Sequence, residues 1–482
     1  MAFPMAISAT ADGAQVETVP MRYVIPGSAP GVEGQAEIVF AAVNEKLQAD
    51  GVGIEFQLTT IPWDAWDQKT SLMLATGEPF DLLHVMEDQK GFANYVGQEA
   101  LLPLTELIET YGQNIKKVIP DWMWDGAKVG GEIYAVPAYW TENTTATEGL
   151  TIRTDWLEEY GIATPETAEE LFDAIGVFQE NWTGDGTPYF IQLYAEPARY
   201  LYRTFDTYPF TLIEQLICVR QDGTVEAWID TEEFKMEAEF ARKSFEAGYV
   251  NPDILSVPSE WRGNEADMGR YLYRDGNGLH TSLWLEQNGI EEDVIVLAPE
   301  KPSFRDMGFR NDNVVPASSE NPEAAVKFLD WIYANQENYD LFIYGIEGTH
   351  YNLPEDAVGL EREILLNEEG SSLYTFHTWM IGNLQYTRAG LGDHPTRIAI
   401  QDVYDADAVN SVTVGFQFDA TDVSVEYANC LAEVKSSLYP MKVGIQSYEE
   451  GIEAARSNFA AAGIDAVIEE YERQLTEWLA SK

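Results

Sequence analysis

The sequence predicts an α/β protein of two lobes, and three observations carry that reading. The chain has 482 residues, 45% of them hydrophobic, and single cores stop growing at roughly 250 to 300 residues. Its opening segments alternate strand, helix and strand, which implies a parallel sheet with helices packed on it. A glycine turn leading into a short proline-terminated strand, Gly130 to Pro137, marks a point where the chain can cross between lobes.

The elements follow in order. Met21 to Ile25 reads as a strand closed by Pro26-Gly27 and the turn-prone Ser28 to Gly31. A helix follows, with Ile38, Ala42 and Leu47 as its apolar face and a stop at Asp50-Gly51. Ile54 to Leu58 alternates as a second strand. Ala65 to Leu74 is helical up to Gly77, and Phe80 to Val85 repeats the strand. Thr151 to Trp156 opens the second lobe. Thr167 and Glu170 form a capping box ahead of Leu171, Phe172, Ile175 and Phe178. Asn321-Pro322 starts a strongly patterned helix running to Tyr344. Ile464, Val467, Ile468, Tyr471, Leu475 and Trp478 give an amphipathic C-terminal helix. The predicted division is a signal remnant or disordered tail over 1–18, a first lobe of 19–140 with 300–350, and a second of 141–299 with 351–482. The tail rests on the small apolar residues that end in Ala9-Thr10-Ala11.

Composition narrows function. The formal charge of −52, from 81 acidic against 29 basic residues, repels phosphate backbones and anionic lipid surfaces, so nucleic acid and peripheral membrane binding are excluded. An aromatic content of 12% excludes a disordered chain. No apolar run approaches the ~20 residues that span a bilayer. Cys218 and Cys430 are too few for a disulfide framework or a zinc cluster, and are read either as a pair or as two buried thiols. There is no Gly-x-Ser-x-Gly elbow, no His-Glu-x-x-His and no P-loop. The five histidines, at 84, 280, 350, 377 and 394, lack ligand spacing. No cofactor is expected. A structural calcium is the one metal weighed, at Asp402, Asp405 and Asp407 or at Asn181 to Gly186; the first lacks the glycine of a calcium loop and the second has too few ligands.

Gly345 to Tyr351, directly after the Asn321 helix, resembles the extracellular solute-binding proteins of bacterial ABC importers. So do Ala75 to Leu83, Gly131 to Pro137 and Ile152 to Ile162, in order along the chain. Gly415 to Asp419 and Gln474 to Leu479 resemble the oligosaccharide lipoprotein subgroup of that family. The resemblance implies a periplasmic-binding-protein clamp, or Venus flytrap, whose hinge closes two α/β lobes on a ligand. It further implies a monomeric, non-catalytic protein at a bacterial cell surface or in the periplasm, which hands an oligosaccharide to the permease subunits of an ABC importer. The family's N-terminal lipobox cysteine has no counterpart near the start of this sequence, so the mode of anchoring is left open.

A sugar needs aromatic platforms for its flat C–H faces and polar side chains for its hydroxyls. Trp63-Asp64-Ala65-Trp66 stands at a helix start and reads as a platform or as a hydrophobic staple. Tyr139, Trp140, Glu142 and Asn143, just past the crossover strand, combine platforms with hydrogen-bonding groups, or form an ordinary polar loop. Trp261, Arg262 and Trp284 are the candidates in the second lobe. Asn311, Asp312 and Asn313 at a strand entry read as ligand contacts or as turn chemistry. Asp81, Glu347 and His350 complete the candidates, and His84 is weighed beside Asp81. Neutral oligosaccharides are favoured over polyanionic ones unless Arg199, Arg203, Arg262, Arg270 and Arg274 form a basic patch. Two rivals stay open, a binding protein for another solute such as a peptide, and a secreted glycosidase with a carboxylate pair.

Overall fold

Strand Val19–Pro26 lies at the heart of a five-stranded sheet, and the sequence shows why: five of its last six residues, Met21 and Tyr23 to Pro26, are buried, as a strand covered on both faces must be. The computed structural model describes residues 7–9, 15–87, 91–140, 149–189, 198–257, 269–274, 290–306, 308–354, 361–368, 370–390 and 408–481. The sheet order is Ile54–Ile61, Val19–Pro26, Leu82–Met86, Asn311–Val314, Ala135–Pro137. The first three strands run parallel. Asn311–Val314 is antiparallel to both its neighbours, so Ala135–Pro137 points the same way as the first three. Four carboxyl ends therefore meet at one edge, together with the amino end of Asn311–Val314.

The chain divides into two units, residues 1–143 with 308–391 and 144–307 with 392–482. The sequence division gave 351 onward to the second lobe, whereas Tyr374, Phe376, Met380 and Ile381 are buried in the core of the first unit. That core is aromatic: Phe56 stacks on Phe328 at 4.8 Å and meets Phe342 edge-on at 5.4 Å. Residues Ile7–Ala9 and Gln15–Glu17, expected as tail, pair as a short antiparallel ribbon.

Two helices of the first unit correct the sequence reading. In Gln35–Ala49 the buried face is Ala36, Val39, Val43 and Leu47, and Ile38 is 48% exposed, so the predicted stripe was rotated by a residue. The helix expected from Asn321 to Tyr344 is two helices, Pro322–Ile332 and Gln336–Ile343; Asn335 breaks it by capping the second, its side chain accepting the Asn338 N–H. Pro322 occupies the first turn as expected, while the Asn321 side chain donates to the Pro20 carbonyl instead of capping.

The second unit holds two antiparallel three-stranded sheets. Phe210–Ile213, Ile217–Arg220 and Val225–Ala227 form a meander, and Leu150–Arg153 lies between Tyr273–Arg274 and Glu292–Ile295. The Thr167–Glu170 capping box forms as predicted. Helix Ile464–Ser481 buries Val467, Tyr471 and Leu475 in the same core as Trp228 and Phe234. Lys442 is also buried there, 3.5 Å from Glu237 and bonded to Gln215. Cys218 and Cys430 are free and buried, and burial pushes both thiols up, Cys218 to about 12 and Cys430 to about 11.

Candidate functional site

The carboxyl edge of a parallel sheet is where ligands meet α/β proteins, because loops and helix amino ends converge there. In the first unit, the chain leaving Ile54–Ile61 turns through Pro62 into the single turn Trp63–Ala65, which holds Trp63 outward at 53% exposure. Its ring lies 6.0 Å from that of Trp379, tilted by 31°. Gly27, at the end of the neighbouring strand, has φ +89, and a Cβ there would come within 3.2 Å of the Trp63 indole nitrogen. Trp379 also meets His84 edge-on at 4.9 Å and exposed His377 at 5.7 Å. These rings form an aromatic surface whose exposed members are Trp63 and His377.

The surface is fixed from below. His84 Nε2 donates to Asn311 Oδ1 at 3.2 Å, and burial pushes the imidazole down to about 3, so it is uncharged. Asn313 accepts the Tyr23 hydroxyl at 2.6 Å and donates to the Met380 carbonyl at 2.8 Å. The Gly382–Asn383 segment is clamped by Tyr333 and Tyr339 hydroxyls and by the Tyr139 amide, which donates to Gly382 O. Tyr139 is half-buried and Trp140 buried, its indole N–H without a partner.

The predicted residues therefore separate. Trp63, Tyr139, Trp140, Asn311 and Asp312 gather at the carboxyl edge, joined by His84. Trp66 is 6% exposed and belongs to the core, the staple reading of that motif. Asp81 is at the opposite edge, accepting the Arg22 and Asn321 amides and the Ser319 hydroxyl, so it ties strand to helix start. Asn313 is a structural tie, as above. His350 is buried, its Nδ1 accepting the Ile346 amide and its Nε2 facing Gln35 Oε1 at 3.0 Å; Gly345, at φ +87, leaves room for the ring. Glu347 is exposed in the same bend. Glu142, Asn143, Trp261, Arg262 and Trp284 lie outside the described residues. The sequence reading missed Trp379 and left His377 unassigned, although His377-Thr378-Trp379 puts two rings in one loop.

Of the five arginines weighed as a basic patch, Arg199 and Arg203 are engaged elsewhere, and the Arg270 guanidinium lies beside Gly186. Arg203 is buried, donating to the carbonyls of Leu297, Ala298, Lys301 and Pro302. Arg199 is paired with Asp306. The side chains of Arg262 and Arg274 lie outside the described residues. Asp402, Asp405 and Asp407 do too, and among the described residues no group of three His, Cys, Asp or Glu side chains could hold a metal ion.

Comparison with known proteins gives the following. Residues 34–206 match the profile described as bacterial extracellular solute-binding protein, and residues 412–480 match a domain of unknown function, DUF3502. The chain is 22% identical over 454 residues to a carbohydrate ABC transporter substrate-binding protein of Streptococcus pneumoniae, covering 91% of this chain and 87% of that one. It is 25% identical over 248 residues, 49% of each chain, to the polygalacturonan/rhamnogalacturonan-binding protein YtcQ of Bacillus subtilis. Among solved structures, the N-glycan transport solute-binding protein NgtS of S. pneumoniae superposes with a TM-score of 0.78 at 18% identity, over 96% of this chain and 99% of that one. At these identities the structural likeness establishes the fold.

Proposed function

We propose that the chain is a bacterial extracellular solute-binding protein, a reading supported by its match to that profile over residues 34–206, and that it captures an oligosaccharide and delivers it to the permease of an ABC importer. The observation that carries this reading is the Trp63–Trp379 surface at the carboxyl edge. An indole face held half-exposed by a turn offers the flat C–H side of a sugar ring a contact of low conformational cost. Tyr139, Asn311 and His377 stand around it as hydrogen-bonding groups. The relatives with assigned roles are substrate-binding proteins, and we take this chain to bind its sugar outside the cell, as a monomer, without cleaving it and without a cofactor.

The preferred sugar is neutral. The net charge of −52 disfavours a polyanion at a distance, and two of the arginines that could oppose it locally, Arg199 and Arg203, are engaged by Asp306 and by backbone carbonyls. The relative that binds polygalacturonan makes the acidic alternative the right control.

A thermal-shift screen of the full chain tests this, using mannosyl N-glycan fragments and kestose against oligogalacturonides and peptides, with the sugar recovered and analysed. A saturable rise in melting temperature with a neutral glycan recovered intact is expected. Cleaved sugar would mean an enzyme, and a response to peptides alone would overturn the substrate.

A further inference from the structure

Below the aromatic surface the sheet carries an acid pair that ligand contact does not explain. Asp312 sits opposite Val85 on one neighbouring strand and Pro137 on the other. Its side chain therefore leaves the face opposite to that of His84 and Asn313, because side chains alternate along a strand. It is fully buried, and neither of its carboxyl oxygens meets a hydrogen-bond donor. The polar group set against it is another carboxyl, that of Glu87. Glu87 is held in place: its amide donates to Arg310 O at 2.8 Å, its Oε1 accepts the Phe92 amide at 2.9 Å, and a Cβ on Gly91 would lie 2.6 Å from its Oε2. Two neighbouring carboxylates away from water repel strongly, and one of them keeps its proton instead.

We propose that Asp312 is a neutral carboxylic acid at physiological pH, donating its proton to Glu87, and that this acid–carboxylate pair positions the start of helix Phe92–Gly97, whose Phe92 amide Glu87 accepts, at the carboxyl edge. The role given to that helix start rests on the reading of that edge as the ligand side; the protonation state does not. Asp312 is in this account a positioning residue.

The surroundings agree. Burial first, and then the Glu87 charge, push the Asp312 carboxyl well above its ordinary range. From helix Phe92–Gly97, Tyr95 faces the pair; burial pushes its hydroxyl up to about 12, a hydrogen bond from Thr70 opposes this, and Asp67, Glu87 and Asp312 add to it. Tyr23 on the Val19–Pro26 strand is likewise raised, by burial, then Tyr333, then Asp312. His84 is on the other face and uncharged. Arg310, two residues before Asp312 and just ahead of its strand, is a nearby cation, yet Asp312 accepts no bond from it. Strand Ala135–Pro137 brings no titratable side chain.

The sign of the pH dependence follows. The folded chain holds a proton on Asp312 at pH values where the unfolded chain, with an ordinary value of 3.8, has lost it. Stability therefore falls as pH rises from that value toward the raised one. Asp312→Asn keeps the shape and a donor to Glu87 but cannot titrate. The test is chemical denaturation of the full chain, without sugar, from about pH 5 to about pH 8, comparing wild type with Asp312→Asn. It is joined by infrared spectra of aspartate-labelled protein at neutral pH and by hydrogen exchange at the Phe92 amide. We expect wild type to lose stability relative to Asp312→Asn as pH rises, and an acid carbonyl band that Asp312→Asn removes. Phe92 protection should be equal in these two and reduced at least tenfold in Asp312→Ala. Parallel stability curves, absence of the acid band, or failure of Asp312→Asn to fold would each overturn the protonation; unchanged Phe92 protection in Asp312→Ala would overturn the positioning role. A failed sugar screen would remove the ligand reading and leave the acid pair standing.

Discussion

Trp63 and Trp66 stand three residues apart in one motif and do opposite things, one exposed beside Trp379 and one in the core. Trp66→Ala should cost about 3 to 5 kcal/mol of stability, the range for emptying an aromatic core site. Trp63→Ala should cost about 1 kcal/mol, the worth of one aromatic pair, and its effect should fall on sugar binding; denaturation curves of both variants check the contrast. His84 carries a second expectation. Its folded value, lowered to about 3 from the ordinary 6.5, means that the unfolded chain binds a proton first as pH falls. His84 therefore makes stability decline on acidification below its ordinary value, and leaves it level above. His84→Gln should show a shallower acid limb, measured by denaturation between about pH 6 and about pH 4. Lys442 and Glu237, buried together at 3.5 Å, make a third. Lys442→Ala leaves the buried Glu237 carboxyl with the Tyr202 hydroxyl but no cation and should cost about 3 to 5 kcal/mol, whereas Lys442→Met together with Glu237→Leu should recover most of that loss.

At the scale of elements, local signals were legible and distant pairings were not. The Val19 strand, the Thr167–Glu170 box and the C-terminal helix follow from residues close in sequence. Thr167→Ala should cost about 1 kcal/mol by the loss of its cap, read as a shift of the denaturation midpoint. The placing of Asn311–Val314 between Leu82–Met86 and Ala135–Pro137 has no local signal, because strand partners are chosen by the whole sheet. It is this placing that turned the Asn311 to Asn313 trio from turn chemistry into a tie to His84, a buried acid and a tie to Tyr23. Helix phase was misread where apolar Ile38 adjoins buried Val39, since a single exposed isoleucine rotates the apparent stripe. The aromatic surface was half legible: Trp63 announced itself at a helix start, but Trp379 lies in an irregular loop with no periodicity to flag it.

For the molecule as a whole, composition decided more than any motif. A charge of −52 with abundant aromatics set phosphate backbones aside and favoured a neutral ligand stacked on rings over a polyanionic one. The fold agrees with that of solute-binding proteins over 96% of the chain, while two of the arginines weighed against a neutral ligand, Arg199 and Arg203, are already engaged. The central claim is that a sugar is held at the Trp63–Trp379 edge, and one measurement reaches it directly: calorimetric titration of wild type and Trp63→Ala with the neutral glycan that gives the largest thermal shift. The account predicts saturable binding by wild type and affinity at least about tenfold weaker, about 1.4 kcal/mol, in a Trp63→Ala protein that remains folded. Equal affinities in the two proteins would contradict it.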